Sequence, residues 1–210
     1  MPTQTTRLLA LAFDPAVEPA EDETSQRVLD AALELAAASG LRHLTMDDVA
    51  RRAGVGRMTV YRRFGDRARL LDTLAVRECR RCLAQIAGSL NPEDPIDERI
   101  ASLAVATLKV IREHPMLERL ARVEPEALLS ELTRDASAVF RLVREFLIAQ
   151  VVQAQRAGEL VEGDPAMLAE LSLRLGASFV LMPDSVLPLS DDRAAHEAFR
   201  ALIAPAVVTD

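Results

Sequence analysis

Apolar residues recur at every third or fourth position along most of this chain, the spacing that places side chains on one face of a helix. The first such run consists of Val28, Leu29, Ala32, Leu33, Leu35 and Ala36. It predicts a helix that begins with Thr24 or Ser25 as its N-cap and ends at Gly40, because glycine readily takes the backbone conformation of a C-cap.

Two short helical patterns and a longer one follow with little sequence between them. Thr45 precedes the first as an N-cap, and Gly54 ends it. The second covers about Arg57 to Phe64, and Asp66 caps the third, which ends near the sequence GSLNPEDP. Side-chain oxygens before a helix and glycine after it are the usual signals of helix ends. The pattern therefore predicts three consecutive helices joined by short turns.

The remainder of the chain keeps the helical period. Its predicted helices cover Ile96 to His114, the sequence MLERLA, Glu126 to Glu159 with an interruption near Leu132 to Asp135, 165–182 behind a cap at Asp164, and 192–206 behind Asp191 or Asp192. No stretch alternates apolar and polar residues as a strand does, and no internal repeat is visible. The predicted fold class is all-α.

Residues 1–22 differ from the rest, because three prolines and an acidic run replace the helical period. This composition favours a mobile N-terminal arm, and the alternative is a leader without a role. The run LLALAF within it is too short for a signal-peptide core, and no small-residue cleavage site follows.

Charge is distributed unevenly along the chain. The total is −7, but positions 42–81 hold eleven arginines and five acidic residues, a local charge of +6. A polyanion responds to the local field, so this arginine island, residues 42–81, could face nucleic acid. The alternative is a solvated helical surface, since all basic residues except Lys109 are arginine, as a GC-rich coding bias produces.

Several classes of protein are disfavoured by what the sequence lacks. No apolar run approaches the roughly 20 residues that cross a bilayer, and two cysteines make no disulfide framework, so we expect a cytoplasmic protein without a membrane partner. No nucleophile elbow, glycine-rich phosphate loop, metal-ligand spacing or acid–base cluster is present. The chain is therefore predicted to be no enzyme and to need no cofactor or metal.

The arginine island also has the pattern of a helix-turn-helix. Ala50 is small where two helices must cross closely, and Gly54 tolerates the positive φ that the turn requires. Apolar side chains that can lock the second helix onto the first are Val49, Ala53, Val55 and Val60. With Val60 and Phe64 facing inward, the polar residues of GRMTVYRRF lie on the other faces, as a DNA-reading helix requires.

From about Thr24 to Leu71, a quarter of the chain, the sequence resembles the DNA-binding domain of the TetR family of transcriptional regulators. The matching residues, in the family's spacing, are Thr45, Ala53-Gly54-Val55, Thr59-Val60-Tyr61, Phe64, Arg67 and Leu70-Leu71. The resemblance implies a helix-turn-helix domain at 23–71 and a helical domain for effector binding and dimerisation at 72–210. It implies a dimeric regulator, most simply a repressor, that binds a palindromic operator in double-stranded DNA and is released by a small-molecule effector.

The resemblance also implies roles for single residues. Thr45 caps its helix against the DNA backbone, and Tyr61, Arg63 and Arg67 lie where relatives contact phosphate. The positions that read base edges are Arg57, Met58, Thr59 and Arg62. Gly56 departs from the family by replacing the serine or threonine that caps the reading helix. Asp47 stands where some relatives contact DNA, but a carboxylate repels phosphate, so we expect it to cap its helix instead.

In the family, the last two long helices pair with a second copy as a four-helix bundle. The matching residues here are Leu168, Leu171, Leu175, Phe179, Phe199, Leu202 and Ile203, together with Met167. The alternative is that they form the core of their own subunit. The geometry of two operator half-sites favours a homodimer.

The region between the reading helix and this bundle is where family members hold an effector. Candidate lining residues are Leu103, Thr107, Ile111, His114, Met116, Phe140, Arg144, Arg174 and Ser178. His114 precedes Pro115, which favours a helix cap over a ligand contact, and Glu170 is the expected partner of Arg174. The few aromatic residues disfavour a cage for flat cations, so an aliphatic or acyl effector fits better.

Cys79 and Cys82 are three residues apart on one predicted helix, which fits packing or surface thiols and leaves a redox switch open. An enzyme remains the second class of function, to be supported by turnover in the helical domain. An architectural protein with a vestigial reading helix is the third class, which sequence-blind coating of DNA would support.

Overall fold

The computed structural model describes residues 22–124, 126, 137–182 and 184–208. Its helices are α1 Glu23–Ser39, α2 Met46–Ala53, α3 Arg57–Phe64, α4 Arg67–Ser89, α5 Ile96–Glu113, α6 Pro115–Arg122, α7 Ala138–Arg156, α8 Pro165–Leu181 and α9 Asp192–Leu202, with a 3-10 turn at Ala204–Ala206. The only β-type pairing among these residues is the bridge between Leu160 and Val208. The all-α prediction is confirmed.

Most helix ends lie where the local signals predicted them. Thr45, Asp66 and Asp164 each accept a hydrogen bond from a backbone N–H of the helix they precede. The expected cap of α1 is wrong: Asp22 accepts from the Ser25 N–H at 3.0 Å. Residues 1–21, most of the predicted arm, and the predicted interruption near 132–135 lie outside the described residues.

The first three helices and the start of α4 share one apolar cluster, the N-terminal core. Its members with no exposed surface are Val28, Leu29, Ala32, Val49, Val60 and Leu70. Met116 and Leu120 of α6 complete this core, although Met116 was expected to line an effector pocket. Helix α6 therefore contributes part of its apolar surface to the unit formed by α1–α3 and the start of α4, residues 23–71, which we call the reading head.

Smaller clusters hold the remaining helices together. One surrounds Cys82, Ile86 and Phe146 between α4, α5 and α7. Another joins Ala101 of α5 to Phe199 of α9, and the ring of Phe179 meets Phe199 edge to face with centroids 5.5 Å apart. No helix of the described residues has the length and apolar composition to cross a bilayer.

A close contact fixes the turn after α1 against the turn after α6. Gly40 has φ +87°, and an ideal Cβ built there would lie 1.7 Å from Oε1 of Glu124. Glu124 is buried, with Arg119 Nε 3.6 Å from the same oxygen. A side chain at position 40 is therefore excluded by space as well as by backbone conformation.

Candidate nucleic-acid interface

The turn between α2 and α3 has the geometry that its sequence predicts. Gly54 is left-handed at φ 65° and ψ 36°, and the Val55 N–H donates to the Ala50 carbonyl at 3.0 Å. Arg27 of α1 donates from Nη2 to the Ala53 carbonyl at 2.6 Å, so it closes the C-terminal end of α2. This arginine was not predicted as a cap, because only the fold brings it to α2.

The start of α2 is held by a reciprocal cap. Thr45 Oγ1 accepts from the Asp48 N–H at 3.1 Å and donates to Asp48 Oδ2 at 2.6 Å. The expectation that Asp47 caps α2 is wrong, because its carboxylate turns toward α3 instead. Thr45 itself is exposed, as a residue must be to lie against the DNA backbone in the way that the sequence predicted.

Helix α3 has one buried face and one open face. Val60 and Phe64 are buried in the N-terminal core, one turn apart. Met58 is 75% exposed and Arg62 is also exposed, whereas Thr59 is half-buried. Gly56 supplies no side-chain cap, so the first N–H groups of α3 are left without one. An open helix end with a basic, partly apolar face can enter a major groove.

Arg57 stands at the leading end of this face and has two neighbours. Its Nε lies 2.8 Å from Asp47 Oδ1 of α2. Its guanidinium carbon lies 5.4 Å from the centre of the Tyr61 ring, within the range of a cation–π contact. Tyr61 in turn packs against the N-terminal core, so the predicted phosphate contact also supports Arg57.

The other predicted arginines differ in how far they are engaged within the chain. Arg63 pairs with Asp22 and donates to Ser25 Oγ at 3.0 Å, and this pairing lowers the pKa of Asp22. Arg67 donates from Nε to the Leu44 carbonyl at 2.7 Å and from Nη2 to the Leu41 carbonyl. Arg62 forms no hydrogen bond or ion pair with any described residue. It is therefore free to meet a ligand.

A buried polar group connects α4 to the reading head. Arg77 and Glu78 are both buried, and Arg77 Nε donates to Glu78 Oε1 at 2.7 Å. Arg77 Nη1 also donates to Asp30 Oδ1 of α1 at 2.8 Å. An ion pair taken out of water needs such partners, because an unpaired buried charge is costly.

The same carboxylate reaches the other side of α4. Glu78 Oε2 lies 3.3 Å from Nε2 of His114, and the Nδ1 of that ring accepts from the Leu117 N–H. Burial alone would raise the pKa of Glu78, but the hydrogen bond with His114 and the charge of Arg77 hold that pKa below its ordinary value. Asp30, Arg77, Glu78, Arg81 and His114 form what we call the α4 polar cluster.

Several of the predicted effector residues have partners within their own chain. His114 caps α6 and faces Glu78, while Arg144 and Arg174 both pair with Glu170, at 3.0 and 2.7 Å. Thr107 and Ser178 each donate to a backbone carbonyl of their own helix, and Ile111 and Phe140 are half-buried. Arg174 is largely exposed, contrary to the burial that its apolar sequence context suggested.

The predicted dimer residues divide into two groups. Phe179, Phe199 and Ile203 pack together against α5, and Leu168 packs beside Leu160. Leu171, Leu175 and Leu202 are exposed, as is Met167. The first group serves the core of its own subunit, which was the alternative reading of these helices. The second group remains a candidate contact surface.

The two cysteines are poorly suited to redox chemistry. Cys82 is buried and Cys79 is half-buried on α4. Burial raises the pKa of Cys79 to about 12 and that of Cys82 to about 11. Because the thiolate is the reactive form, these values favour the packing role over the switch.

A serine, a histidine and a carboxylate also meet between α5 and α9. Ser102 Oγ lies 3.3 Å and Glu98 Oε2 lies 3.2 Å from the same atom, Nε2 of His196. A hydrolytic triad needs the serine at one ring nitrogen and the carboxylate at the other. This group therefore lacks the geometry of a nucleophilic site.

Comparison with known proteins agrees with the helix-turn-helix. A family model described as bacterial regulatory proteins, tetR family, matches residues 28–74. The chain is 27% identical over 173 residues to an uncharacterized HTH-type transcriptional regulator of Mycobacterium bovis, across 82% of this chain and 88% of that protein. It is 33% identical over 127 residues to the HTH-type transcriptional repressor DrrR1 of Streptomyces coeruleorubidus, across 57% of this chain and 44% of that protein.

The fold has relatives among solved structures as well. The TetR family repressor AlkX from Dietzia, which is implicated in biodegradation of n-alkanes, superposes with a TM-score of 0.61 at 22% identity. The superposition covers 87% of this chain and 94% of that one. The shared architecture is an N-terminal helix-turn-helix followed by a larger helical region.

Proposed function

Because the chain belongs to the TetR family of transcriptional regulators and is not an enzyme, we propose that it represses transcription as a dimer on a palindromic operator. A small-molecule effector would release it from this DNA, and its place of action would be the cytoplasm. The observation that carries the proposal is the open face of α3, where Arg57, Met58 and Arg62 project beside a buried Val60 and Phe64.

The electrostatics of this face support binding to duplex DNA. The arginine island carries +6 within a chain of −7, so its field attracts phosphate while the rest of the chain repels it. Arg62 is exposed and unengaged among the described residues, whereas Arg63 and Arg67 would have to exchange their partners for phosphate. We therefore expect Arg62 to contribute more to affinity than either of these.

Selection of bound duplexes from a random pool, followed by sequencing, tests the proposal directly. The expected result is a palindrome whose half-sites lie one helical turn or a multiple of it apart. A combined Tyr61→Phe and Arg62→Ala variant should lose sequence-selective binding, while Arg193→Ala, an exposed arginine on α9, should not. Unselective recovery of all duplexes would favour the architectural alternative.

The salt dependence gives a second measurement on the same operator. Log affinity should fall with log salt by about 0.9 for each phosphate contact. Arg62→Ala should reduce this slope by about one contact if it meets phosphate, and leave the slope unchanged if it reads a base edge. A slope near zero in the unaltered protein would contradict the electrostatic argument.

Helix α8 supports the proposed dimer. Met167, Leu171 and Leu175 follow one another by four residues along one face and are 66, 65 and 40% exposed. An apolar stripe of this kind is normally covered by another helix. Leu171→Glu should shift sedimentation from dimer to monomer and reduce operator affinity, and Ser172→Glu, which adds the same charge at an exposed position of α8 off this stripe, is the matched control. A Leu171→Glu chain that stays dimeric would refute this interface.

The α4 polar cluster supports a route for effector release. Helix α4 contacts α1 through Arg77 and contacts the α5–α6 junction through Glu78 and His114. Suppose that the chain has two conformations that differ in the position of α4 and so in the spacing of the two reading helices. An effector then shifts the balance between these conformations only by the difference in its affinity for them. Release of labelled operator by a panel of aliphatic and acyl compounds, compared with aromatic cations, tests the expected class of effector.

A further inference from the structure

Arg57 is held from two sides at the leading end of α3. Asp47 Oδ1, on the preceding helix, lies 2.8 Å from its Nε. The Tyr61 ring, one helical turn further along α3, lies with its centre 5.4 Å from the guanidinium carbon. A free arginine side chain has several rotatable bonds, so two contacts from different helices restrict where its charged group can point.

This arrangement suits recognition of one base better than contact with phosphate. An arginine that grips guanine donates two hydrogen bonds at once to O6 and N7, and this requires a fixed plane. A contact through Nε is compatible with a grip in which Nη1 and Nη2 both donate to the base. A carboxylate next to the DNA repels phosphate, so Asp47 is poorly placed for general affinity.

The ion pair between Arg57 and Asp47 also contributes little to the stability of the fold. The side chains of Arg57 and Asp47 are 62 and 52% exposed, and exposed ion pairs contribute little to stability. The cap of α2, which Asp47 was expected to supply, is provided by Asp48 and Thr45. Helix capping therefore does not account for the negative charge at position 47, and the favourable contact with the positive end of the α2 dipole is already supplied by Asp48 in the same first turn.

We propose that Asp47 is a positioning residue for base recognition, which orients Arg57 toward a guanine in the major groove and so sets specificity at one position of each half-site. The inference rests on the proposed function. It predicts two opposite effects of removing the carboxylate. Discrimination at that base pair should fall, while affinity for unrelated duplex DNA should rise because a repulsive charge is gone.

The experiment has two steps. Selection from a random duplex pool with the unaltered chain and with Arg57→Ala identifies the base pair that Arg57 reads, expected to be G·C. Affinities for the selected operator, for the operator changed at that pair, and for an unrelated duplex are then measured for Asp47→Ala. Arg57→Ala should lose roughly 5- to 100-fold in discrimination, and Asp47→Ala about two- to tenfold, the cost of ordering one long side chain.

Three variants separate positioning from other effects. Glu34→Ala is the matched control, because it also removes a carboxylate paired with an arginine, Arg52, but from α1. It should leave discrimination at the Arg57 base pair unchanged. Asp47→Glu should restore part of the discrimination, and Asp47→Ala combined with Arg57→Ala should discriminate at that base pair no less and no more than Arg57→Ala alone. Thermal unfolding of each variant checks that the domain is intact.

Each outcome decides the inference. Equal discrimination by the unaltered chain and Asp47→Ala overturns it. A loss at a different base pair also overturns it, because Asp47 would then read a base itself, as a carboxylate can at cytosine N4. An unaltered chain that binds every duplex equally contradicts the proposed function itself, which distinguishes that failure from a failure of the positioning role.

Discussion

Helices α1 and α8 have the same length of 17 residues, but α1 buries many more of its side chains than α8 does. Helix α1 carries four charged residues and buries six side chains, all within the N-terminal core or at its edge. Helix α8 carries only Glu170 and Arg174, yet Ala169 is its one buried residue. The more apolar of the two helices is thus the less covered by the described part of its own chain.

This difference teaches how the two regions are built. The reading head closes its core from local helices plus two side chains of α6, so its folding needs no second chain. Helix α8 packs against α7 on one side and presents Met167 and Leu171 on the other. The stability of the region around α1 should therefore be independent of protein concentration, whereas the stability of the region around α8 should rise with protein concentration.

Substitution of a leucine in each helix is the strongest test of that contrast. Leu29→Ala should lower the free energy of unfolding by about 2–5 kcal/mol, because it opens a cavity in a fully packed core. Leu171→Ala should cost less, and its cost should change with protein concentration. Urea unfolding at several concentrations measures both. Equal, concentration-independent losses would erase the distinction between the two helices.

The α4 polar cluster offers the next largest effect. Glu78→Gln removes the charge that pairs with buried Arg77, and we expect a loss of about 3 kcal/mol in the free energy of unfolding. Glu197→Gln breaks an exposed pair with Arg193 and should cost less than about 1 kcal/mol. A small loss for Glu78→Gln would show that the cluster is not essential to the reading head.

The same variant has a predicted pH dependence. The pKa of Glu78 is lower in the folded chain than its ordinary value, so the unfolded state binds more protons in that range. Its contribution to stability is therefore present above the ordinary pKa of a glutamate and is lost as pH falls through the lowered value. The difference between Glu78→Gln and the unaltered chain should shrink on acidification, measured by urea unfolding at pH 7 and stepwise below pH 5. A constant difference would contradict the lowered pKa.

Alanine substitutions of two glycines, one in the reading head and one in α4 beyond it, should change the free energy of unfolding by smaller amounts and in opposite directions. Gly54→Ala places a side chain at φ +65°, which should cost about 1–2 kcal/mol. Gly88→Ala lies within α4 with no atom near the added methyl group, so it should stabilise by about 0.5–1 kcal/mol. Thermal unfolding of both variants measures the contrast, and the same sign for both would contradict the backbone assignment of the turn.

The smallest effect is expected at the cysteines. With pKa values of about 12 and 11, Cys79 and Cys82 should react slowly with thiol reagents at pH 8 in the folded chain and rapidly in urea. Mild oxidation should leave operator affinity unchanged. Fast reaction of both thiols in the native state would reopen the redox alternative.

Local chemistry explains which features could be predicted from the sequence. The caps at Thr45, Asp66 and Asp164 involve residues two or three positions apart, so the amino-acid order contains all the information. The pairing of Asp47 with Arg57 and of Arg77 with Asp30 depends on helices that meet only in the fold. Sequence reasoning therefore located the reading helix and missed what orients its first arginine.

The same limit applies to the second region. The apolar pattern of α8 and α9 predicted buried seams, but a pattern does not say which side chains meet their own subunit. In the structure Phe199 of α9 packs against α5, whereas Leu171 of α8 is exposed to solvent. Such a division depends on the angle at which helices cross, which periodicity does not contain.

Arg67 has a mechanical consequence for the whole reading head. Its side chain starts at the first residue of α4 and ends on the carbonyls of Leu41 and Leu44, immediately before Thr45. A rotation of α4 about its own axis must therefore either stretch these hydrogen bonds or carry the 41–44 turn with it. We expect the beginning of α2 and the beginning of α4 to move together for as long as Arg67 keeps these hydrogen bonds, so that a twist of the long helix reaches both helix starts at once.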